Sequence, residues 1–172
     1  MGLTDVILKR RSIRKYADRA VPEETLDGIL QAGLLAPTSR NLRPCEFWLI
    51  RDRETLKRLS RAKSGGAGML ADCAAAVAVF GDAEKADTWI EDSSIALSFM
   101  MLAAEEQGVG NCWVQIRLRT DAGGREAERN VREILSVPDK YRIVGILAMG
   151  IPAEEAKAHT PDDADWDRVH RI

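Results

Sequence analysis

The residues best suited to chemistry form a cationic cluster near the N-terminus, Lys9-Arg10-Arg11-Ser12-Ile13-Arg14-Lys15. Arginine forks bind phosphate oxygens in pairs, and a serine hydroxyl adds a short neutral hydrogen bond. The cluster therefore predicts a site for a small phosphorylated ligand. The alternative is a solvated helix end, because lysine and arginine also favour the negative C-terminal end of a helix dipole. A nucleic-acid contact is a further alternative, which the lack of a basic stripe elsewhere in the sequence disfavours.

A second segment, residues 37–44 with the sequence PTSRNLRP, is a loop held stiff by a proline at each end. Its side chains both donate and accept hydrogen bonds, and such a loop can recognise the edge of a heteroaromatic ring. Asn41 offers an amide, and Arg43 offers a cation to an electron-rich carbonyl. The alternative is an ordinary connection between a helix and a strand, which proline and asparagine also serve.

A third segment, residues 108–114 with the sequence GVGNCWV, has two glycines that permit close approach of the backbone. A flat ligand could lie along this segment. The alternative is a glycine that ends a helix, followed by a core strand. The glycines at positions 65, 66 and 68 are in the wrong order for a Walker loop and are interpreted as a flexible turn.

Conventional catalytic groups are scarce. The two histidines, His159 and His170, both lie in the C-terminal tail, and no nucleophile elbow is present. Cys45, Cys73 and Cys112 are too widely spaced for a zinc or redox pair, and their odd number argues against a disulfide framework. We therefore expect no metal site, assign no catalytic side chain, and expect a cofactor to supply the chemistry.

The elements that must position these segments alternate between helical and extended patterns. Helices are predicted over residues 3–10, 22–34, 53–63, 86–107 and 126–135, and strands over residues 46–51, 74–80, 111–116 and 141–149. The apolar run AAAVAVF at 74–80 is typical of a strand buried on both faces. Residues 95–104 are apolar almost all round, which predicts a helix in the core or in a subunit interface. This interleaving indicates a layered α/β or α+β domain whose strand order stays open.

The composition describes one folded domain of 172 residues, with 45% hydrophobic and 30% charged residues. A net charge of −2 gives no bulk attraction for nucleic acid or anionic lipid. The longest apolar run is residues 95–104, which is shorter than the roughly 18–20 residues that span a bilayer. No signal-like stretch precedes Lys9. We expect a cytoplasmic protein with neither a membrane nor a nucleic-acid partner.

Taken together, the three segments resemble the nitroreductase family of FMN-dependent oxidoreductases. The resemblance extends from RRSIRKY through VPEETLDGILQAGLLAPTSRNLRP and GVGNCWV to the closing ILAMGIP. It implies an α+β fold, a nitroreductase-like α/β sandwich in which a mostly antiparallel central sheet is flanked by helices. It also implies an intertwined homodimer with FMN in clefts at the subunit interface, and one FMN-binding domain over residues 1–172.

Residue by residue, the resemblance implies thirteen cofactor-binding positions. In the basic cluster they are Arg10, Ser12 and Arg14, with Arg11 adjacent, for the phosphate and ribityl chain. The loop positions, which would reach the flavin from the other subunit, are Thr38, Ser39, Asn41 and Arg43. The positions along the isoalloxazine, where a backbone N–H approaches flavin N5, are Trp113, Val114 and Gln115. A basic residue after the GIP turn completes the phosphate site in the family, and Lys157 or His159 matches it here.

Two departures concern the loop, because Arg43 stands where many members carry glutamine and Cys45 where they carry tryptophan. A cation near the flavin pyrimidine would stabilise the anionic reduced flavin and raise its reduction potential. The implied function is a two-step hydride transfer, from NADH or NADPH to flavin and then to a nitroaromatic, a quinone or a related acceptor. The alternative is a flavin carrier or sensor without turnover, which the short chain suggests.

Overall fold

The computed structural model describes residues 2–172, along which five helices and four strands alternate. The helices are α1 (Leu3–Lys9), α2 (Glu23–Leu34), α3 (Arg53–Leu59), α4 (Trp89–Glu106) and α5 (Ala127–Leu135). The strands are β1 (Cys45–Ile50), β2 (Ala75–Asp82), β3 (Gly110–Gln115) and β4 (Tyr141–Gly150). Each coincides closely with a predicted segment, although α3 ends four residues early and α4 begins three residues late.

Local chemistry explains several of these boundaries. The Asp52 carboxylate accepts the Thr55 backbone N–H at 2.8 Å and so caps α3. Gly108 has a φ of +71° and ends α4 as predicted, because a left-handed residue after a helix favours glycine. Pro22 is the N-cap of α2 rather than a residue of its first turn. The helix therefore begins one residue later than predicted, with Glu23 and Glu24 at its positive end.

The strands form one antiparallel sheet in the order β1-β2-β4-β3, which the sequence left open. Cys45 pairs with Gly81, and Gly81 pairs with Arg142, so these residues mark one end of the sheet. Gly110 pairs with Gly150 at the opposite end. We call these the Cys45 end and the Gly150 end. The two edge strands are β1 and β3.

Helices cover both faces of the sheet, which confirms the predicted α+β sandwich with an antiparallel sheet. On one face, α2 and α4 pack through buried side chains that include Leu26, Ile29 and Met100. On the other face, α3 and α5 pack through Leu56 and Val131 among others. All eight residues of β2 are buried, as the apolar run predicted.

The apolar helix α4 is only partly covered within the chain. Leu97 and Met100 are fully buried against the sheet, whereas Phe99 keeps 42% of its surface exposed. Leu35, at the end of α2, is 74% exposed. Trp166 is 64% exposed within this chain, and the Arg171 guanidinium lies over its ring. No helix within residues 2–172 is long and apolar enough to cross a bilayer.

Candidate functional site

The cationic cluster lies in an extended segment, residues 10–16, that runs along the Gly150 end of the sheet. Ser12 forms a parallel bridge with Asn111 of β3, and the Ile13 N–H donates to the Asn111 carbonyl at 2.9 Å. Tyr16 forms an antiparallel bridge with Pro152, just beyond β4. The segment therefore extends the sheet beyond both β3 and β4. Its cations are held on a backbone with fixed register, not on a loose helix end.

Two glycines allow this close packing. A Cβ atom on Gly110 would lie 2.9 Å from the Ile13 side chain, and one on Gly150 would lie 2.8 Å from the Tyr16 ring. The Tyr16 hydroxyl donates to the Ile13 carbonyl at 2.7 Å, which fixes the turn of chain that carries Arg14. Burial raises the pKa of Tyr16 far above its ordinary value, so the hydroxyl keeps this donor proton.

The segment divides its side chains between two cavities. Arg14 lines a cavity of about 650 Å³ on the side of α3, and Arg11 lines another of about 300 Å³. The Arg11 guanidinium donates to the Lys157 carbonyl, and the His159 N–H donates to the Leu8 carbonyl at 2.8 Å. Both candidates for completing the phosphate site thus lie beside the basic segment.

Glu154 is a functional candidate that sequence reasoning missed. Its carboxylate accepts the backbone N–H groups of Arg14 at 2.6 Å and of Lys15 at 3.2 Å. These bonds lower the pKa of Glu154, with the bond from Arg14 as the largest cause. The only feature of the sequence that points to Glu154 is its position, two residues after the GIP turn. Glu154 anchors the basic segment to the chain that follows β4.

The segment predicted to lie along a flat ligand forms β3, an edge strand that is open beyond Ser12. Asn111 directs its carbonyl away from β4, toward Ile13. Because successive backbone groups of a strand alternate in direction, Trp113 and Gln115 also direct their N–H groups outward. Neither N–H has a partner within the described chain. Val114 alternates with them, is buried, and directs its own N–H toward β4.

Side chains on β3 hold this strand in place. The Trp113 indole N–H donates to Gln115 Oε1 at 2.9 Å, and the Gln115 amide donates to the Arg117 carbonyl at 3.0 Å. Asn111 is fully buried and donates to the Met101 carbonyl of α4 at 3.2 Å. Its Oδ1 has no partner among the described residues. The core face of β3 is therefore fixed, while its outer edge is free for a ligand.

The predicted loop is strained and well anchored. Arg40, Asn41 and Arg43 all have positive φ values, of 51°, 54° and 49°, which costs energy in residues with a side chain. The Thr38 hydroxyl accepts the Arg43 N–H at 3.1 Å, and Arg43 Nε donates to Asn41 Oδ1 at 2.9 Å. The Ser39 N–H donates to Asp92, a buried carboxylate on α4 that sequence reasoning also missed.

The loop and the basic segment lie at opposite corners of the sheet. The loop leads into Cys45 on one edge strand, and the basic segment joins Asn111 on the other. Three strand spacings of about 4.8 Å separate the two edges by about 14 Å. Cys45 is level with Gly81 of β2, and Asn111 is level with Ala75, so six steps of about 3.3 Å separate them by about 20 Å along the strands. One chain thus does not bring the two predicted halves of the site together.

Lys63, which was predicted as the last residue of the helix over residues 53–63, is a further cation near β3 and lies beyond the end of α3. Partial burial lowers its pKa, and the nearby Arg119 lowers it further. The turn that follows is anchored, because the Ser64 N–H donates to the Thr120 carbonyl at 2.9 Å. Gly65 and Gly66 each adopt a φ of +64°, which glycine permits at low cost. Within residues 2–172 there is no group of three or more histidine, cysteine or acidic residues that could hold a metal ion.

The residues present fit the phosphate and flavin parts of FMN. Arginine forks and a serine hydroxyl suit a phosphate. Gly110 and Gly150 have no Cβ atom, so the basic segment can pack closely against the sheet. The open N–H groups of β3 suit the edge of a heteroaromatic ring. Fold and site together define an antiparallel α+β sandwich with a cationic segment along an edge strand.

Comparison with known proteins agrees with this description. The model of the nitroreductase family matches residues 7–67 and 61–151, and the chain belongs to that family. A structure of an FMN-dependent nitroreductase from Clostridium difficile R20291 superposes with a TM-score of 0.94 at 45% identity, and covers 96% of each chain. An Archaeoglobus fulgidus protein, described as an NADH dehydrogenase/NAD(P)H nitroreductase, is 35% identical over 96% of this chain and 95% of its own.

A third relative carries the cofactor. A nitroreductase from Desulfovibrio desulfuricans, whose structure is a complex with FMN, has a TM-score of 0.76 and 26% identity. The match covers 94% of this chain and 92% of that one. These relatives confirm the family resemblance drawn from the sequence motifs and the fold it implied.

Proposed function

We propose that the protein is an FMN-dependent oxidoreductase in which residues 1–172 form one FMN-binding domain. NADH or NADPH would reduce the flavin, and a nitroaromatic, a quinone or a related acceptor would then reoxidise it. One observation carries the proposal: the outward N–H groups of Trp113 and Gln115 lie on an open strand edge that continues from the cationic segment. Relatives named as flavin and NAD(P)H enzymes support it.

The chain's own residues would bind and orient the cofactor. Arg10, Ser12 and Arg14 would hold the phosphate, and the side chain of Lys157 or His159 would complete its site. The N–H groups of β3 would hydrogen-bond the ring. When bound, FMN supplies the hydride acceptor and donor, so the protein contributes by positioning, electrostatics and exclusion of water. No side chain is needed as a nucleophile.

We further propose that each site is built by two chains of a homodimer. The loop with Thr38, Ser39, Asn41 and Arg43 would reach the flavin bound to the partner's basic segment. The separation of the two halves within one chain supports this arrangement. So does the exposed apolar surface of Leu35 and Phe99, which a second copy would cover.

The first experiment is the visible spectrum of the purified protein, followed by anaerobic mixing with NADH or NADPH. We expect the absorption bands of oxidised flavin, one FMN per chain on extraction, and bleaching of the bands by at least one nucleotide. A colourless protein whose spectrum does not respond to added FMN would reject the proposal. Bound flavin that neither nucleotide reduces would instead favour the carrier or sensor.

The second experiment tests the shared site by mixing two variants. Arg14→Gln alters the basic segment, and Asn41→Ala alters the loop, so each homodimer should bind FMN weakly. A heterodimer of the two variants contains one doubly altered site and one intact site if the halves come from different chains. We expect FMN binding to recover at one site per heterodimer. If each site lies within one chain, mixing restores nothing.

A further inference from the structure

The surface between α3 and α5 carries four exposed arginines, none of which belongs to the proposed flavin site. Arg58 lies in the last turn of α3, Arg61 in the turn that follows, and Arg125 and Arg129 at the start of α5. The first three line a cavity of about 290 Å³, and Arg129 lines a second of about 490 Å³. Glu133 lines both cavities, so they adjoin. We call the four arginines the arginine surface.

Hydrogen bonds fix the backbone beneath the arginine surface. The Asn130 amide donates to the Ala62 carbonyl at 3.0 Å and to the Asp121 carboxylate at 2.9 Å, which ties α5 to the end of α3. Asp121 also accepts the backbone N–H groups of Gly123 at 2.9 Å and of Arg125 at 3.0 Å. These bonds lower the pKa of Asp121, with the bond from Asn130 as the largest cause. The carboxylate is therefore occupied by the chain that it anchors.

The charge of the arginine surface is mostly unbalanced. One oxygen of Glu133 pairs with both Arg125 and Arg129, the latter at 3.4 Å. Arg58 and Arg61 form no ion pair among residues 2–172. The chain as a whole has a net charge of −2, so this face is opposite in sign to the average of the protein.

The start of α5 is an unfavourable place for cations. Arg125 directly precedes the N-cap, Glu126, and Arg129 lies in the first turn of the helix. The N-terminal end of a helix carries partial positive charge, which favours anions and disfavours arginine. The dipole explains only Arg58, because that residue lies at the C-terminal end of its helix. An anion supplied from outside the chain would offset the cost at α5.

The chemistry of this surface fits an acidic protein better than a small molecule or a nucleic acid. Small-molecule sites are mostly apolar, whereas charged side chains form most of the smaller cavity. Arginine is enriched and lysine depleted in protein interfaces, and no lysine lines either cavity. Asp121 and Glu133 stand among the arginines and would repel the continuous charge of a phosphate backbone. A protein can place a neutral donor opposite each of them.

We propose that the arginine surface docks an acidic protein whose carboxylates pair with Arg58 and Arg61. A planar guanidinium matches a carboxylate with two parallel hydrogen bonds. Ile134 is partly buried in the same cavity and adds an apolar contact. The exposed Leu35 and Phe99 belong to helices on the other face of the sheet, so the proposed homodimer leaves this surface free. The inference goes beyond the proposed function and needs no flavin turnover.

The test is equilibrium binding of a labelled peptide of alternating glutamate and glycine, with excess FMN present to occupy the cationic cluster near the N-terminus. A peptide with glutamine in place of glutamate is the neutral probe. We expect the glutamate peptide to bind about 10-fold more tightly, and this preference to fall as salt is added. Arg58→Gln and Arg61→Gln should each weaken the glutamate peptide about 5-fold, as expected for one exposed ion pair. Neither change should affect the glutamine peptide.

Arg19→Gln is the matched control, because Arg19 is exposed, forms no ion pair among residues 2–172 and lies outside the arginine surface. It should bind the glutamate peptide like the unaltered protein. An equal loss in Arg19→Gln and Arg61→Gln would overturn the proposal, since the attraction would then be unspecific. So would tighter binding of a DNA duplex that Arg61→Gln abolishes, which would assign the surface to nucleic acid.

Sedimentation separates a foreign partner from a second copy of this chain. The oligomeric state of Arg61→Gln should equal that of the unaltered protein at every concentration. A shift toward smaller species would assign the arginine surface to a contact between copies and overturn the proposal. A colourless protein that still prefers the glutamate peptide at Arg58 and Arg61 would reject the proposed function and retain the docking surface.

Discussion

The Asp92 carboxylate accepts the backbone N–H of Ser39 at 2.9 Å and thereby ties the loop at residues 38–43 to the first turn of α4. Asp92 is 2% exposed, and its other oxygen accepts the Thr88 hydroxyl at 3.2 Å. A buried carboxylate needs such partners, because an unpaired one is costly. The loop keeps three residues at positive φ, so its shape depends on anchors of this kind.

Removal of this anchor should destabilise the protein. We expect Asp92→Ala to lower the free energy of unfolding by about 1–3 kcal/mol, because the Ser39 N–H loses its partner. Asp92→Asn should cost less, since the amide oxygen still accepts that N–H. Denaturant unfolding measures both changes, and Glu91→Ala, at an exposed position one residue away, is the control. Equal stability of Asp92→Ala and Glu91→Ala would contradict the anchoring role.

The close packing of the basic segment on β3 depends on Gly110. A methyl group there would lie 2.9 Å from Ile13 Cγ2 and 3.3 Å from the Gly150 carbonyl oxygen. Gly110→Ala should therefore cost about 1–3 kcal/mol of stability, as overpacking does. It should also weaken FMN binding, because the segment that carries Ser12 and Arg14 must shift.

The matched control for this glycine is Gly68→Ala, because a Cβ at Gly68 meets no atom within 4 Å and its φ is not in the left-handed region. Thermal unfolding and FMN titration should leave Gly68→Ala close to the unaltered protein. A Gly110→Ala variant with unchanged stability and FMN affinity would show that the segment is not held by this contact.

Arg43 should set the reduction potential of the bound flavin if the loop faces it. Arg43→Gln removes a cation that favours the anionic reduced form, so we expect the two-electron potential to fall. A loss of 1.4 kcal/mol corresponds to about 30 mV for two electrons, and the expected shift is of this order. Redox titration against a reference dye measures it. Arg43→Lys should retain much of the potential, and a fall of equal size in Arg40→Gln would contradict the specific role of Arg43.

The contact of Glu154 with the basic segment should make stability depend on pH in the acid range. The folded-state pKa of Glu154 lies below its ordinary value, because its carboxylate accepts the Arg14 and Lys15 N–H groups. The stabilisation is therefore fully present above the unfolded-state pKa, about 4.3, and is lost as the pH falls through the lower folded-state pKa.

Urea unfolding at a series of pH values between neutral and strongly acid checks this dependence. In Glu154→Gln the acid-dependent loss should be smaller than in the unaltered protein. Glu155→Gln, at the adjacent exposed position, should behave like the unaltered protein. If both variants lose stability in parallel with the unaltered protein, the carboxylate of Glu154 contributes nothing to the acid transition.

Patterns along the chain were enough to predict the elements and the kind of ligand. The apolar run at 74–80 predicted a buried strand, because only a strand with both faces covered loses its polar positions. Gly108 predicted the end of α4, because the left-handed conformation after a helix favours glycine. The concentration of arginine around Ser12 predicts an anion site, because arginine forks bind phosphate oxygens in pairs, and this stays a prediction. All of these are local properties of the sequence.

Residues that act at long range were not predictable in this way. Asp92 and Glu154 look like ordinary surface acids in the sequence, and only the fold places one in the core beside Ser39 and the other beneath the N–H groups of Arg14 and Lys15. The turn at Gly65 and Gly66 was predicted, but its anchoring was not, because Thr120, whose carbonyl accepts the Ser64 N–H, is distant in sequence.

The sequence by itself determined which secondary structure each segment adopts, because that depends on side-chain type and periodicity. It also predicts which segments carry the chemistry. Only the tertiary structure decided where the segments lie. The strand order β1-β2-β4-β3 puts the loop and the basic segment at opposite corners of one sheet. Strand order is set by the pairing of backbones far apart in sequence, and hydrophobic periodicity gives no information about that pairing. Because the two segments are separated within one chain, the proposed site needs a second chain.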